Sequence, residues 1–474
     1  MTSNRNLIGA FILGFTAIAL GTFTSSIENP ASARRGGDGD SGSGGSLLAG
    51  QDVIVGSIPN ISKYGSVVVS GQTIMAYALG TTSCNIGTAQ LEWFASPDNR
   101  HPFIPQNFYR IKDGRLEHIG ASWGKHGFTA LQQSLCGTCQ ASSTGTYLGI
   151  GCSDPYSSSL NGSQSGLGCR SEVNAATGVF PGTINSGMPS ASATIGRRLQ
   201  VNANDLNPTL NPGAIWIAEA QYIHSGDAAA GNDNNNSSWR AMTIGAISSG
   251  AYTITLTGST IMQKTAIDAW KTYVPTVTVT NIDVPSDGRL ILGHDTKDNG
   301  NGTWHYEYSI LNLNSHRSGN SFSIPVPAGV TITNAGFRDV AYHSGDPYSP
   351  TDWTVSTSGG AITWTGGNYA TSANSNALRF ATTYTFRFDA STPPTAATAT
   401  LGLFRPGTPT SMTVATAGPS ASSNPADING DGIVNGIDLA NLLGNWGGTG
   451  TGDINNDGFV DGPDLAVLLA AWTG

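Results

Sequence analysis

Two stretches near the C-terminal end carry the residue types and spacing of a cage for a hard cation. In the first, Asp427, Asn429, Asp431, Asn435 and Asp438 occupy positions 1, 3, 5, 9 and 12 of a twelve-residue frame. In the second, 26 residues further on, the same positions are Asp453, Asn455, Asp457, Asp461 and Asp464. Position 6 is glycine in both copies, Gly432 and Gly458, where a chain wrapping an ion must turn sharply. Position 7 offers only its backbone carbonyl in such a loop, so its side chain is free to be apolar: Ile433 and Phe459. Calcium takes about seven oxygens at roughly 2.3–2.6 Å, and short oxygen-bearing side chains at alternate positions supply them. The pattern predicts two calcium ions, with Val434 and Val460 at position 8 bridging the paired loops.

The segments after the two loops repeat as well. Leu439, Leu442, Leu443 and Trp446 fall at i, i+3, i+4 and i+7, as do Leu465, Leu468, Leu469 and Trp472. Each loop is therefore expected to run into a short helix with one apolar stripe, and the two stripes to pack together. "DINGDGIVNGIDLANLL" and "DINNDGFVDGPDLAVLL" resemble the tandem calcium-binding repeats of type I dockerins, over about a tenth of the chain. The resemblance implies a partner of the cohesin kind and attachment of a secreted protein to a scaffold or cell surface. It also implies a polysaccharide as the ligand of the upstream part. At positions 10 and 11 the chain departs from the family's small hydroxyl pair, with Gly436–Ile437 and Gly462–Pro463, and basic residues are absent from the helices. Coupling of site formation to folding predicts a module that is disordered without metal.

The charge distribution singles out the same region. The chain has 474 residues and a net charge of −9, of which the seven aspartates after Arg405 contribute −7 with no Lys or Arg beside them. Two calcium ions would bring that −7 to −3. No basic stripe is present, which argues against a nucleic-acid partner. Low charge, 62 Gly and 23 Pro predict a mainly β, turn-rich protein of two or three domains. "LIGAFILGFTAIALG" (7–21), with Arg5 before it and "ASA" at 31–33, reads as an export signal over 1–33, and 34–46 as a flexible leader. No later stretch has the length of a membrane span, so a secreted or cell-surface location is expected. In an oxidising compartment, Cys84, Cys136, Cys139, Cys152 and Cys169 form a disulfide framework with one thiol left over.

The elements that must carry any other chemistry fall into two regions. Residues 47–274 mix strand-like pieces ("DVIVGSI", "SVVVSG", "AIWIAEA", "AYTITLTG") with two helix candidates, "HGFTALQQSL" and "TIMQKTAIDAWKTY". Residues 275–404 alternate strictly, as in "TWHYEYSIL", "FSIPVP" and "YTFRFD", and predict an antiparallel β-sandwich of immunoglobulin-like kind. The Pro/Thr/Ser/Ala-rich stretch 405–426 reads as an extended linker, and 427–474 as the separate dockerin-like module.

Upstream signals are weaker. "GASWG" (120–124) matches a nucleophile-elbow pattern around Ser122, but the strand–helix rhythm of such enzymes is missing. His118, His126, Cys136 and Cys139 are a possible zinc set, with a disulfide role for both cysteines as the competing reading. "HSGD" at 224–227 and 343–346 suits a turn, or an acid/base or ion-binding pair. Trp304, Tyr306 and Tyr308 form either a sugar-stacking stripe or part of a sandwich core. Glu92, Glu117, Glu172, Glu219 and Glu307 are the carboxylates available to pair with an Asp as glycosidase groups, a pairing that only spatial separation reveals. These readings lead to an exported modular protein that is docked by its tail and handles polysaccharide; if it is an enzyme, it is a hydrolase of O-glycosyl bonds. The rival is a non-catalytic adhesion protein in which calcium only stabilises the tail.

Overall fold

Alternating apolar and polar residues recur along most of the chain, and in the computed structural model most of these stretches are strands. The structure describes residues 48–184, 191–343, 345–421 and 424–474. The expected export signal and leader lie outside the described residues. The architecture is mainly β, with several antiparallel sheets, few helices and two disulfides in the N-terminal part. No helix of the described residues is long and apolar enough to cross a membrane.

The largest sheet has eight strands in the order Ala251–Ile261, Ser237–Ser248, Ile215–Gln221, Gln106–Lys112, Arg115–Ala121, Leu199–Asn202, Gln72–Leu79 and Ile61–Val69. Lys63 Nζ, on the last of these, donates to the Ser248 carbonyl (2.7 Å) and to Thr253 Oγ1 (3.1 Å) on the first two, so the sheet curls until its edges approach. Period-two alternation then sends Trp216, Ala218 and Ala220 into the interior of the curl with Tyr77, Phe108 and Met242. Ile217 faces the other way, against Tyr109 and the helix Ala266–Tyr273.

The disulfides Cys84–Cys136 and Cys139–Cys152 staple a loop to the small sheet of Val53–Ser57, Thr81–Asn85 and Ser153–Tyr156, and Cys169 stays free and buried. The expected helix over 126–135 is not formed. Leu131 and Leu135 are exposed, so the apparent helical spacing has no core to face, and Gln133 instead bridges to Ser153.

Residues 278–419 form the sandwich. One sheet runs Thr278–Asp283, Arg289–Asp298, Trp304–Asn312, Thr382–Ala390, Ile332–Arg338; the other runs Thr354–Ser358, Ala361–Thr365, Gly319–Pro325, Pro394–Leu403, Ser411–Pro419. Tyr306 and Tyr308 pair across the ladder with Phe388 and Phe386 and are fully buried, with the Tyr306 and Phe388 rings stacked 4.8 Å apart. Tyr306 and Tyr308 are therefore core and leave no face for a sugar, while Trp304 packs partly buried against the same core.

Two expected boundaries shift. The division at 274/275 runs through a shared core, because Ile291, Leu311 and Leu313 from the sandwich pack with Trp270, Ile267, Tyr109 and Leu116. The stretch 405–426 is not a free linker: Ser411–Pro419 pairs with Pro394–Leu403 from Gly402↔Ser411 to Pro394↔Pro419. Its small, hydroxyl-rich composition hides one inward row, in which Val414 is buried and Met412 partly so, and an edge position tolerates the terminal proline.

Candidate metal centre

Local chain geometry builds the two terminal loops alike. In the first, Asp427 accepts from the backbone N–H groups of Asp431 and Gly432, and Asp431 accepts from that of Ile433. Asp438 accepts from Asn429 and Asn435. The second loop repeats each bond: Asp453 with Asp457 and Gly458, Asp457 with Phe459, and Asp464 with Asn455 and Asp461. Gly432 (φ +86°) and Gly458 (φ +97°) hold the left-handed turn that glycine permits. Asn435 and Asp461 then cap the helices Gly436–Gly444 and Gly462–Ala470.

Carboxylate oxygens of Asp427, Asp431 and Asp438 lie within 4.8 Å of one another, a grouping able to hold a metal ion. Such crowding is costly unless a cation offsets it. Burial opposes ionisation of Asp438, but the N–H groups of Asn435, Asn429 and Ile428 outweigh it and hold the carboxyl below its ordinary range. Bonds from Asp461 and Asn455 do the same for Asp464. Asp461 moves the other way: burial, then the charges of Asp457, Asp464 and Asp453, push it up, and its Oδ1 is buried without a hydrogen-bond partner. An orphaned oxygen among like charges is a group that a bound cation would satisfy. The residues therefore fit a hard divalent ion. They would supply Asp427, Asp431 and Asp438 with Asn429, Asn435 and the Ile433 carbonyl in one loop, and Asp453, Asp457, Asp461 and Asp464 with Asn455 and the Phe459 carbonyl in the other.

The position-8 valines bridge differently from expectation. Val434 exchanges hydrogen bonds with Thr473, beyond the second helix, and Val460 with Gly447 and Gly448, beyond the first. Each loop is thus tied to the end of the other repeat. The helix stripes are only half buried. Val434, Leu442, Val460 and Leu468 form the core with Ile454 and Ala426, whereas Leu443, Trp446, Leu469 and Trp472 are 39–54% exposed. Two nine-residue helices bury one ridge each, and both tryptophans fall past the helix ends.

Upstream, geometry disposes of several candidates. Ser122 is buried, with its hydroxyl donating to the Trp123 carbonyl and accepting from the Gln106 N–H; neither partner is a base. Cys136 and Cys139 sit in separate disulfides, so no thiolate joins His118 and His126 in a zinc set. In the first "HSGD", His224 caps a short helix and Asp227 is buried against Asn236; in the second, Asp346 accepts from the His343 N–H and from Cys169 Sγ. Among the glutamates, Glu92 pairs with Arg100, and Glu307 with Arg115 and His305. Glu117 pairs with Arg110 and Arg338. Glu219 is buried, accepting from Asn107, Tyr109 and Ala266, while Glu172 is half-buried.

His126 has a different use. Its Nδ1 lies 2.9 Å from His101 Nε2, and burial, with His101 and Lys125 adding, pushes it down to about 3. Below the ordinary histidine value near 6.5, the unfolded chain takes up a proton that the folded chain refuses until about pH 3. This group alone should withdraw about 1.4 kcal/mol of stability per pH unit across that window. The destabilisation caused by His126→Gln, measured by urea unfolding, is therefore expected to shrink steadily from pH 7 to pH 4; a pH-independent penalty would contradict this.

Sequence reading missed a cleft of about 400 Å³ beside the sandwich. Asp205, Asp339, Asp352 and Arg338 line it together with the amides of Gln72 and Gln200. Burial, with Asp352 adding to it against an Asn376 hydrogen bond, raises Asp339 to about 6. No local pattern marks these residues, which come from segments far apart in the chain.

No protein-family model and no curated protein matches this chain. Solved structures with a weak likeness include the N-terminal domain of a Streptococcus gordonii adhesin, at 8% identity and TM-score 0.18, covering 78% of this chain and 83% of that one. The Fcho1 Mu homology domain of Danio rerio gives 8% and 0.15, covering 75% and 85%. The B domain of a biofilm associated protein gives 11% and 0.12, covering 88% and 95%.

Proposed function

We propose that this is an exported, modular calcium-binding protein whose duplicated terminal module docks it to a cohesin-like partner or a cell surface. On this reading, the β-rich body binds or degrades polysaccharide. The observation that carries the docking is a duplication of both ion cage and surface. Leu443 and Trp446 are matched by Leu469 and Trp472 at the 26-residue repeat, all exposed beside loops fit to hold calcium. Large apolar side chains left exposed on a small module favour a protein partner, and ordering of the loops by metal would fix their spacing. For the body, the cleft at Asp339 supports the glycan reading, since carboxylates and amides suit the paired hydroxyls of a sugar.

The test is capture of the full chain on an immobilised cohesin-type module. Retention in calcium, loss in EGTA and weakening by about tenfold or more in Trp446→Ala/Trp472→Ala are expected, as for hot-spot tryptophans. Capture indifferent to chelator, or no capture in calcium, would favour calcium as a stabiliser of the tail alone.

A further inference from the structure

The body holds a second cavity, smaller and of opposite character to the acidic cleft. It is a space of about 30 Å³, lined among others by Arg170, Arg379 and Arg405. These arginines come from the Arg170–Glu172 turn, the approach to Thr382–Ala390 and the exit from Pro394–Leu403. We propose that this cavity binds the oxyanion of a carboxylic acid, with Arg379 and Arg405 as its principal donors.

Charge balance argues for it first. Arg170 is buried and spends its donors on neutral oxygens: the carbonyls of Ser122, Ala381 and Gln106, and Asn107 Oδ1. Arg379, 5% exposed, gives one amino group to the carbonyls of Ala373 and Ser375 and lies 3.6 Å over the Tyr348 ring. Arg405 lies over Tyr369. Against these three cations the lining offers one carboxylate, Asp346, already engaged by Cys169 and the His343 N–H. Arg379 is buried and Arg405 half-buried, and neither forms an ion pair among the described residues, which is unfavourable unless an anion joins them.

Unmet hydrogen bonds argue for it independently. The Nε–H groups of Arg379 and Arg405 are both buried without a partner. A native protein seldom leaves such donors empty, and an ion commonly explains those it does. Guanidinium forks match the planar pair of oxygens on a carboxylate. His316, also in the lining, reports the same field: burial and then Arg405 lower its proton affinity, Asp287 opposes them, and Arg379 adds to the lowering. The volume admits little more than the acid group itself. The acid is then either a small free anion or the pendant group of a sugar acid whose ring stays outside. This inference does not rest on the docking module.

The experiment is titration calorimetry on the full, calcium-loaded chain at constant ionic strength. The ligands are acetate and methyl glucuronide, with chloride and methyl glucoside as controls. Saturable one-site heat is expected with at least one acid and with neither control. Acetate alone points to a free anion, and tighter binding of the glucuronide points to a sugar-borne acid. Arg405→Gln is expected to weaken binding by about tenfold, the usual loss for one charge-assisted hydrogen bond. Arg379→Lys, which keeps the charge, is expected to weaken it as well. Heat equal in chloride, no heat with either acid, or affinity unchanged in both variants would overturn the proposal.

Discussion

Stripping calcium from the full chain is expected to release the amides of residues 427–474 to solvent exchange while the sandwich strands stay protected. The tail has little else to hold it. Its core is Ala426, Val434, Leu442, Ile454, Val460 and Leu468, and seven aspartates repel one another with no Lys or Arg after Arg405 to offset them. A core this small cannot by itself outweigh the ordering of about fifty residues. Calcium at a hundred times its dissociation constant adds about 2.7 kcal/mol per site, a protection of about a hundredfold. Hydrogen exchange in calcium and in EGTA reads this directly, and equal protection in both would remove the basis of the docking reading. Asp464→Ala removes a proposed ligand and the hydrogen bonds it accepts from the backbone N–H groups of Ile454, Asn455 and Asp461, and should abolish binding at the second loop. Asp461→Asn gives that loop the first loop's side-chain set and should weaken it less; with four aspartates against three, the second loop is expected to bind the ion more tightly than the first.

Glu117→Gln is expected to destabilise the body by about 3–5 kcal/mol in urea unfolding at neutral pH, the range for breaking a buried ion pair from one side. Glu117 accepts from Arg110 on the neighbouring strand and from Arg338 on the sandwich, and both arginines also reach Asp205. The substitution leaves two guanidinium groups facing one carboxylate where there were two. Burial works against the ionised Glu117, but Arg338 and Arg110 outweigh it and hold the carboxyl below its ordinary value. Its contribution is therefore present above about pH 4.5 and lost as pH falls through the lowered folded-state value. The cost of the substitution should shrink in acid. A loss below about 1 kcal/mol at pH 7 would mean that the network is no stronger than a surface pair.

The paired terminal loops and the strands were legible because each is written in contiguous residues. Twelve positions specify a loop whose carboxylates, turn glycine and helix cap are all neighbours in the chain, so the loop shapes of Asp427–Asp438 and Asp453–Asp464 needed no tertiary partner to be recognised. Period-two alternation likewise marked Trp304–Asn312 and Thr382–Ala390. The tail stripe shows where local pattern stops: Leu442 and Leu443 are equivalent in hydropathy, and only the crossing of two short helices buries one and exposes the other. Ser411–Pro419 shows the converse, a strand that composition disguises and that its ladder with Pro394–Leu403 creates. Cysteine pairing, the cleft at Asp339 and the arginine-lined cavity were beyond any spacing rule. Arg338 meets Glu117 across 221 residues of sequence. Chemistry assembled from distant segments leaves no periodic trace, because what selects those residues is the field and burial that the finished fold imposes on them.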